Sequence, residues 1–331
     1  MAQPLDRNLA LELVRATEAA ALAAARQMGR GNKEAVDQTA VDAMRLVLQT
    51  VDMDGIVVIG EGEKDEAPML YIGERIGNGN QPRVDVAVDP IDGTTLTANG
   101  LQGAISVVAL AERDTLFFSH VPYMDKIVVG PEARGKVDIT APVADNLYAV
   151  ARAYERDIPD LTVVILNRPR HEKLIQDVRA AGARIRLITD GDVAAGLMAM
   201  MDEHTGIDVL MGIGGSPEGV ITACAVRCLR GDMQARIWPR DDRDREMAER
   251  EGVDVNKVLM IDDLCASENV FVSATGVTDG ELVRGVRYSG DSAMTQSLVM
   301  RSASGTLRWI EAKHDLSRLR NLAGSRYGEG H

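Results

Sequence analysis

The sequence predicts a mixed α/β protein with two subdomains, and three observations lead to that prediction. Two stretches of helical periodicity open the chain, and several apolar, strand-like runs follow with few helices between them. From about residue 160 onward, strands and helices alternate. The middle pattern favours a mixed or antiparallel sheet, and the last favours a parallel sheet. We therefore predict an N-terminal α+β domain over residues 1–158 and a C-terminal α/β domain over residues 159–331.

In the N-terminal part, apolar residues recur at helical spacing over residues 5–28 and 33–50. Gly29 marks the end of the first helix, because glycine commonly terminates helices. Short apolar runs predict strands at 55–60, 84–89 and 104–110, and then at "TLFFSHVP" and "KIVVGP". A further helix is predicted at residues 144–155.

In the C-terminal part, "LTVVIL", "ARIRLI" and "IDVLMGI" are each followed by a polar loop and a helical stretch. Ligands of open α/β sheets bind at the edge where such loops lie. The loops carry Arg168, Arg170 and His171, then Asp190 and Asp192, and finally several glycines with Glu218. Together they predict a binding site. The charged run 238–254 reads as a linker or a solvated helix face, "ENVFVSATGV" to "TLRWIEAKH" as strands of the second domain, and 319–331 as a frayed tail.

Composition excludes several classes of function. The net charge of −13 disfavours electrostatic binding to nucleic acid or anionic membranes, and 3% aromatic residues argue against base-stacking surfaces. The N-terminus has acidic residues within its apolar stretch, so it is not a signal peptide, and no apolar run reaches membrane-spanning length. The three cysteines do not suggest a disulfide framework, and their low number fits a reducing compartment. We expect a cytoplasmic protein.

Cys224 and Cys228 lie four residues apart in "ACAVRC", on one face of a predicted helix. Two small core residues are the favoured interpretation, and a redox switch has no support from the sequence alone.

Carboxylates cluster in four places, which are Asp37, the pair Glu61 and Glu63 in "GEGE", the pair Asp89 and Asp92 in "VDVAVDPIDGTTLTANG", and Glu218. Each pair taken singly is compatible with a capped turn. Two acidic motifs that each follow a strand favour a site for hard cations such as Mg²⁺, which prefer oxygen ligands. The five histidines are scattered and give no zinc spacing.

The remaining motifs narrow the chemistry. Neither a nucleophile elbow, nor a P-loop, nor GxGxxG after a strand is present in the sequence. Arg168 and Arg170 are suited to phosphate, because a guanidinium group binds phosphate through two hydrogen bonds. The amides of "GIGGSPEG" could hold a phosphate as well. Carboxylate-bound metals beside arginines indicate metal-assisted attack of water on a phosphate ester.

At this point the motifs resemble a known family. "DPIDGTT" preceded by "GEGE" resembles the lithium-sensitive, magnesium-dependent sugar phosphatases, which include inositol monophosphatases. The strings "GRGNKEAVDQTAVDAMR", "VIGEGEKDEAPMLYIGE", "NRPRHEKLIQDVR", "DGDVAAG" and "GIGGSPEGV" resemble bacterial class II fructose-1,6-bisphosphatases, including cyanobacterial enzymes that also cleave sedoheptulose-1,7-bisphosphate. The similarity runs from about residue 5 to 315.

The resemblance implies an alternating αβαβα sandwich that holds two or three Mg²⁺ or Mn²⁺ ions. It implies hydrolysis of the 1-phosphate of fructose-1,6-bisphosphate in gluconeogenesis, and possible action on sedoheptulose-1,7-bisphosphate in the Calvin cycle. It also implies a homodimer or homotetramer. Two alternatives stay open, which are an inositol or nucleotide phosphatase and a non-catalytic sugar-phosphate sensor.

Residue by residue, the resemblance assigns three sets. The implied metal ligands are Asp37, Glu61, Asp89, Asp92 and Glu218. The implied substrate-binding residues are Asp92, Gly93, Thr94, Tyr123, Arg168, Pro169, Arg170, Asp190, Gly191, Asp192 and Gly215. The implied catalytic residues are Thr94, which orients the attacking water, with Asp89 and Glu61, and with Glu63 as a second candidate proton acceptor.

The chain departs from the family pattern at Asp92, where many class II members carry Glu. It also lacks the insertion that several cyanobacterial members carry between "YIGE" and the strand before "DPI". The first departure bears on the spacing or number of metal ions, and the second weakens the inference of the second substrate.

Overall fold

Two β-sheets with helices on and between them form the structure, a computed structural model that describes residues 9–62, 69–201 and 205–322. The helices are α1 (Leu9–Ala25), α2 (Lys33–Leu48), α3 (Thr94–Asn99), α4 (Val143–Ala153), α5 (Glu172–Ala181), α6 (Asp192–Ala199), α7 (Ser216–Leu229), α8 (Asp242–Glu251), α9 (Ile261–Leu264) and α10 (Leu316–Leu322). Short 3₁₀ turns lie at Pro131–Ala133, Ile158–Asp160 and Pro169–His171. Nothing in these described helices is long and apolar enough to cross a membrane.

The strands divide between the two sheets. They are β1 (Asp54–Ile59), β2 (Arg75–Ile76), β3 (Arg83–Asp92), β4 (Ile105–Glu112), β5 (Tyr123–Val129), β6 (Thr162–Leu166), β7 (Arg184–Ile188), β8 (Val209–Gly215), β9 (Asp232–Ile237), β10 (Phe271–Gly276), β11 (Arg287–Ser289), β12 (Ser292–Arg301) and β13 (Thr306–Asp315). The first sheet has the order β11-β12-β10-β4-β3-β1-β2, with β13 beside β12. The second has the order β7-β6-β8-β5-β9. Both sheets are mixed, since β1–β3, β6–β7 and β6–β8 pair in parallel and the other pairs are antiparallel.

The layers alternate as helix, sheet, helix, sheet, helix. Helices α1 and α2 pack on the outer face of the first sheet, α6 and α7 pack between the sheets, and α4 and α5 cover the outer face of the second. Strand β6 shows why its sequence is continuously apolar. Val163 and Ile165 face the outer helices while Val164 faces the middle layer, so both faces of the strand are buried. The predicted α/β sandwich is confirmed.

The late strands return to the first sheet. Strand β10 pairs with β4 over Phe271–Gly276, and β12 continues outward from it, so these strands extend the first sheet rather than the second. Strand β5 comes before residue 158 but pairs with β8 and β9 in the second sheet. The two sheets therefore do not coincide with the two predicted domains, residues 1–158 and 159–331. The domain boundary stays a prediction.

The three strand–loop–helix units are confirmed as β6–α5, β7–α6 and β8–α7. The predicted strand "TLFFSHVP" is wrong, because this segment makes only a single bridge, from Leu116 to Cys265. Its backbone groups bind elsewhere. The Asp85 carboxylate accepts from the N–H groups of Thr115 and Leu116 at 2.8 and 3.2 Å, and Phe117 donates to the carbonyl of Leu264, the last residue of α9.

The charged run 238–254 contains helix α8, so the helix-face interpretation applies to it. Asp241 caps the helix by accepting from the N–H of Asp244 at 3.0 Å. Asp244 and Ala248 are buried against the protein, and the charged positions between them are mostly exposed. The end of the predicted tail, residues 323–331, lies outside the described residues, as do residues 5–8 of the first predicted helix.

A buried hydroxyl network joins α1 to the first sheet. Thr17 contacts Ser273 at 2.9 Å and Thr275 at 2.7 Å, and Thr275 contacts Ser297 at 2.8 Å. All four residues are fully buried. Buried hydroxyls without partners are costly, so each member of the network depends on the others.

Thr17→Val should therefore lower the free energy of unfolding by about 1–3 kcal/mol, because Ser273 and Thr275 lose a buried partner. Urea denaturation followed by circular dichroism measures the change. Thr39→Val is the matched control, since the Thr39 hydroxyl binds only carbonyls of its own helix. Equal destabilisation by the two substitutions would contradict the role of the network.

Candidate active site

A cavity of about 310 Å³ opens where strand ends of the two sheets meet. Its walls come from the end of β3, the start of β5, and the loops after β6, β7 and β8. The lining residues are Asp92, Pro122, Tyr123, Leu166, Arg168, Arg170, Asp190, Gly191, Asp192, Gly214, Gly215, Pro217 and Glu218. The prediction that the three polar loops share one edge is confirmed.

A β-bulge orients the two acids of β3. Asp89 lies opposite Val107 and Asp92 lies opposite Ile105, so three steps along β3 match two along β4. Residues three apart on a regular strand face opposite sides, and the extra residue changes that alternation. Each of the two carboxylates also receives a backbone hydrogen bond. Asp89 accepts from the N–H of Ile91 at 3.0 Å, and Asp92 accepts from Ala194 of α6 at 2.9 Å.

Gly93 and Thr94 follow directly after the bulge. Gly93 has a φ of 100°, which side chains rarely allow, and it precedes the first residue of α3. The Thr94 hydroxyl donates to the carbonyl of Ile91 at 3.2 Å, so its oxygen retains lone pairs for a further donor.

Glu61 and Asp37 reach the same region from other elements. Glu61 comes just after β1, where its N–H donates to Leu70 O at 3.0 Å. Asp37 lies on α2, partly buried. Burial raises the pKa of Glu61 to about 8, and the neighbouring Asp37 and Glu218 carboxylates add to the shift. Glu63 lies outside the described residues.

The other acids of the group show the same mutual repulsion. Burial raises the pKa of Glu218 to about 7, with a contribution from Asp192, and the Lys126 ammonium group opposes the shift. Burial, followed by the charge of a neighbouring aspartate, also holds the pKa values of Asp89 and Asp92 well above their usual range. These carboxylates therefore lie close enough to resist ionising together.

The donor set fits hard divalent cations. Within the described residues, no Lys or Arg forms an ion pair with Asp37, Glu61, Asp89 or Asp92. The Oε2 atom of Glu218 is buried without a hydrogen-bond partner there. Oxygen-only ligands of high charge are what Mg²⁺ and Mn²⁺ prefer. The fit is one of chemistry, because no three Asp, Glu, His or Cys side chains of the described parts are arranged as a complete ion-binding group.

Two glycines allow the acids to approach the backbone of β8. A Cβ atom at Gly214 would overlap the Asp192 carboxylate, and one at Gly215 would overlap Glu218. Both positions therefore require glycine for a close approach.

Lys126 is a site residue that the sequence analysis missed. Its Nζ atom lies 2.7 Å from Asp192 Oδ2 and donates to Gly215 O at 3.2 Å, and its side chain is 1% exposed. A signal for it was present, because Lys126 follows Met124 and precedes Val128 on the face of β5 that enters the middle layer. A lysine at such a position is rarely buried without a charged partner.

Cationic and aromatic groups also line the cavity or lie beside it. Arg170 donates to Ile213 O through Nε and Nη2, at 3.2 and 2.9 Å, and lies 5.0 Å from the centre of the Tyr123 ring. Arg240, which the sequence analysis also missed, lies 5.5 Å from the same ring. Arg168 is half-buried in the loop before Pro169.

His171 supports this loop and does not line the cavity. Its Nε2 atom accepts from the N–H of Ile213 at 2.8 Å, so the proton of the neutral ring lies on Nδ1, which donates to Leu166 O at 2.6 Å. Burial lowers the pKa of His171, which agrees with a neutral ring. The side chain thus ties the arginine loop to β8.

The structure brings most of the implied residues to one place. Asp92, Tyr123, Arg168, Arg170, Asp190, Gly191, Asp192, Gly215 and Glu218 line the cavity. Asp37, Glu61, Asp89, Gly93, Thr94 and Pro169 do not line it. Asp37, Glu61 and Asp89 nevertheless lie close to the cavity, because their charges interact with Glu218, which lines it, or with one another. The roles of all these residues stay predictions.

Comparison with known proteins agrees with this geometry. Residues 7–314 match the family described as bacterial fructose-1,6-bisphosphatase, glpX-encoded. The chain is 45% identical over 327 residues to fructose-1,6-bisphosphatase 1 class 2 of Escherichia coli K12, covering 95% of this chain and 97% of the relative. The same figures hold for the class 2 enzymes of Escherichia coli O6:H1 and Shigella flexneri. The chain belongs to the glpX-encoded family of bacterial fructose-1,6-bisphosphatases.

Proposed function

We propose that the protein hydrolyses the 1-phosphate of fructose-1,6-bisphosphate, giving fructose 6-phosphate and phosphate in gluconeogenesis. The observation that carries the proposal is the lining of the cavity. It combines carboxylates that repel one another, such as Asp92 and Glu218, with Arg168, Arg170 and Tyr123, as a substrate with a reacting phosphate and a distant phosphate requires. The class 2 relatives support the same substrate.

Two or three Mg²⁺ or Mn²⁺ ions would be held by Asp37, Glu61, Asp89, Asp92 and Glu218. When bound, such ions polarise a phosphate oxygen and lower the pKa of a water molecule. The support lies in the excess of acidic groups, whose charge the described cations do not offset.

At the reacting end, Thr94 orients the attacking water. Its hydroxyl proton is used by Ile91 O, so the oxygen accepts a hydrogen bond from the water rather than donating one. Glu61, whose neighbours are Asp37 and Glu218, is the proposed proton acceptor at this end of the site. Asp89, which lies at the bulge of β3, is the third proposed catalytic residue at this end of the site.

At the far end, Arg168 and Arg170 bind the distant phosphate. Arg170 is positioned for this role by its two hydrogen bonds to Ile213 O and by the Tyr123 ring. Pro169 fixes the turn between the two arginines. Guanidinium groups of defined orientation recognise phosphate better than flexible ammonium groups do.

Between the two ends, Asp190 and Asp192 accept hydrogen bonds from sugar hydroxyls. One oxygen of Asp190 accepts from the N–H of Thr95 at 3.2 Å, and Asp192 is paired with Lys126, so both side chains are held in place. The backbone at Gly93, Gly191 and Gly215 lets the sugar approach closely, because no side chain projects there.

Sedoheptulose-1,7-bisphosphate is a second proposed substrate, since it presents the same two phosphate ends. The protein would act in the cytoplasm as a homodimer or homotetramer. An inositol phosphate lacks a second phosphate for the arginine end and is not favoured.

Phosphate release should occur from fructose-1,6-bisphosphate with Mg²⁺ or Mn²⁺ and stop with chelator. Asp89→Asn should reduce the rate by more than about 100-fold. Substitution of a residue that only hydrogen-bonds to a metal ligand already lowers metal affinity or activity by about 10- to 100-fold. Asp177→Asn on the surface of α5 is the control and should leave the rate unchanged. Sedoheptulose-1,7-bisphosphate and inositol 1-phosphate complete the panel. Release from inositol 1-phosphate alone, or from no substrate by folded protein, would overturn the proposal.

Arg170→Lys should lower kcat/KM for fructose-1,6-bisphosphate by about 10- to 100-fold. The reason is that a lysine side chain cannot form two parallel hydrogen bonds to one phosphate group. Hydrolysis of p-nitrophenyl phosphate, which has no second phosphate, should change little. Arg179→Lys on α5 serves as the matched control. An equal loss with both substrates would place Arg170 at the reacting end instead.

Metal binding should depend steeply on pH. Glu61 and Glu218, with pKa values of about 8 and 7, hold protons near neutrality in chelator-treated protein. Mn²⁺ must displace these protons, so its affinity should rise from about pH 6 to 8. Calorimetry in buffers of different ionisation enthalpy measures the protons released. Binding without proton release would contradict the pKa shifts.

The raised pKa values of Glu61 and Glu218 also determine how the stability of chelator-treated protein depends on pH. Both folded-state pKa values lie above the ordinary 4.5, so the native state binds more protons than the unfolded chain from there to about pH 8. Stability should therefore fall as the pH rises through this window. Glu61→Gln should flatten the decline, as thermal unfolding at several pH values would show. A stability that rises with pH in the variant and the parent alike would count against this account.

A further inference from the structure

Two of the three cysteines meet inside the protein. Cys224 lies on α7 and Cys265 directly follows α9, and their sulfur atoms are 3.9 Å apart with Cys224 as the donor. Both residues are fully buried. Cys228, which shares a helix face with Cys224, instead contacts Val270 O at 3.6 Å. The fold therefore pairs Cys224 with a residue 41 positions away rather than with its sequence neighbour.

The surroundings of the two sulfur atoms differ. Hydrogen bonds from Cys224 and from the Ser267 backbone, together with the positive charge of Arg227, lower the pKa of Cys265. The hydrogen bond to Cys265 and burial raise the pKa of Cys224. Cys265 is thus the more acidic of the two thiols, and Cys224 is the one that donates to it.

We propose that Cys265 is an oxidation site and that Cys224 is its resolving thiol, so that the two form a reversible intramolecular disulfide. The oxidant is a hydroperoxide. The Cys265 thiolate attacks one peroxide oxygen, the O–O bond breaks, and hydroxide leaves, which gives a sulfenic acid at Cys265. The Cys224 sulfur then displaces that hydroxyl group as water, with its own proton. Overall, two thiols and one hydrogen peroxide give one disulfide and two waters.

Arg227 connects this pair to the surface. Its Nε atom donates to Cys265 O at 2.9 Å, and its outer nitrogens pair with Asp262 and Glu268. The Asp262 and Glu268 side chains are 84% and 89% exposed, so Arg227 links the Cys265 backbone to two surface carboxylates.

The geometry requires a modest adjustment. The sulfur atoms must approach from 3.9 Å to about 2.05 Å. Helix α7 is packed between the two sheets, whereas Cys265 follows a helix of four residues, and its backbone is held by that helix, by an isolated bridge to Leu116 and by Arg227. The Cys265 segment is therefore the part that moves. The bond would then tie α7, whose first turn carries Glu218, to the segment that follows α9.

The test uses the full-length protein, reduced, freed of reductant and exposed to hydrogen peroxide. Free thiols are alkylated under denaturing conditions, and peptides are mapped by mass spectrometry. We expect a Cys224–Cys265 cross-link that dithiothreitol reverses and that raises the midpoint of thermal unfolding. Cys228→Ala, the matched control, should keep the cross-link, and Cys265→Ala should lose it. Arg227→Gln should slow its formation.

A cross-link that involves Cys228 would overturn the assignment, as would the absence of any cross-link in wild-type protein that remains folded. An unchanged oxidation rate in Arg227→Gln would remove the role given to the arginine. The mapping of wild-type protein does not depend on the folding of any variant, and none of these readouts depends on the phosphatase activity.

Discussion

Repulsion among buried carboxylates is the constraint on which the rest of the site depends. Asp89, Asp92, Glu61 and Glu218 raise one another's pKa values directly or through neighbours, and Lys126, a buried ammonium group nearby, is already paired with Asp192. Such a group can ionise fully only with cations that the described chain does not supply. Ion binding at this cavity is therefore coupled both to proton release and to the stability of the folded protein.

The two halves of the site are joined by a reciprocal pair of hydrogen bonds. Asp92, from the first sheet, accepts from Ala194 in the first turn of α6, and Asp190, from the second sheet, accepts from Thr95 at the start of α3. Each acid lies at the N-terminal end of a helix from the other half, where negative charge is favoured. A change in charge on either acid alters its bond across the cleft, which couples the proposed metal-binding acids to the proposed sugar-binding loop.

Helix α7 connects this cleft to the thiol pair. Glu218 lies in its first turn beside Gly215, and Cys224 lies further along the same helix, where the two sheets enclose it. Interiors are close-packed, so a rigid helix held on both sides transmits a displacement better than a surface helix does. The proposed phosphatase site and the proposed disulfide therefore both involve α7, although they use different residues of that helix.

The sequence by itself determined the three strand–loop–helix units, the polar edge they form and the acidic motifs, because periodicity and loop composition are local properties. Only the tertiary structure decided which distant groups meet. The bulge between Asp89 and Asp92 depends on the partner strand β4, and the return of β10 to the first sheet depends on pairing with a strand about half the chain away. Lys126 and Cys265 acquired their roles from partners remote in sequence, Asp192 and Cys224. Long-range pairing of this kind leaves no periodic signal, since it depends on packing and burial in the finished fold.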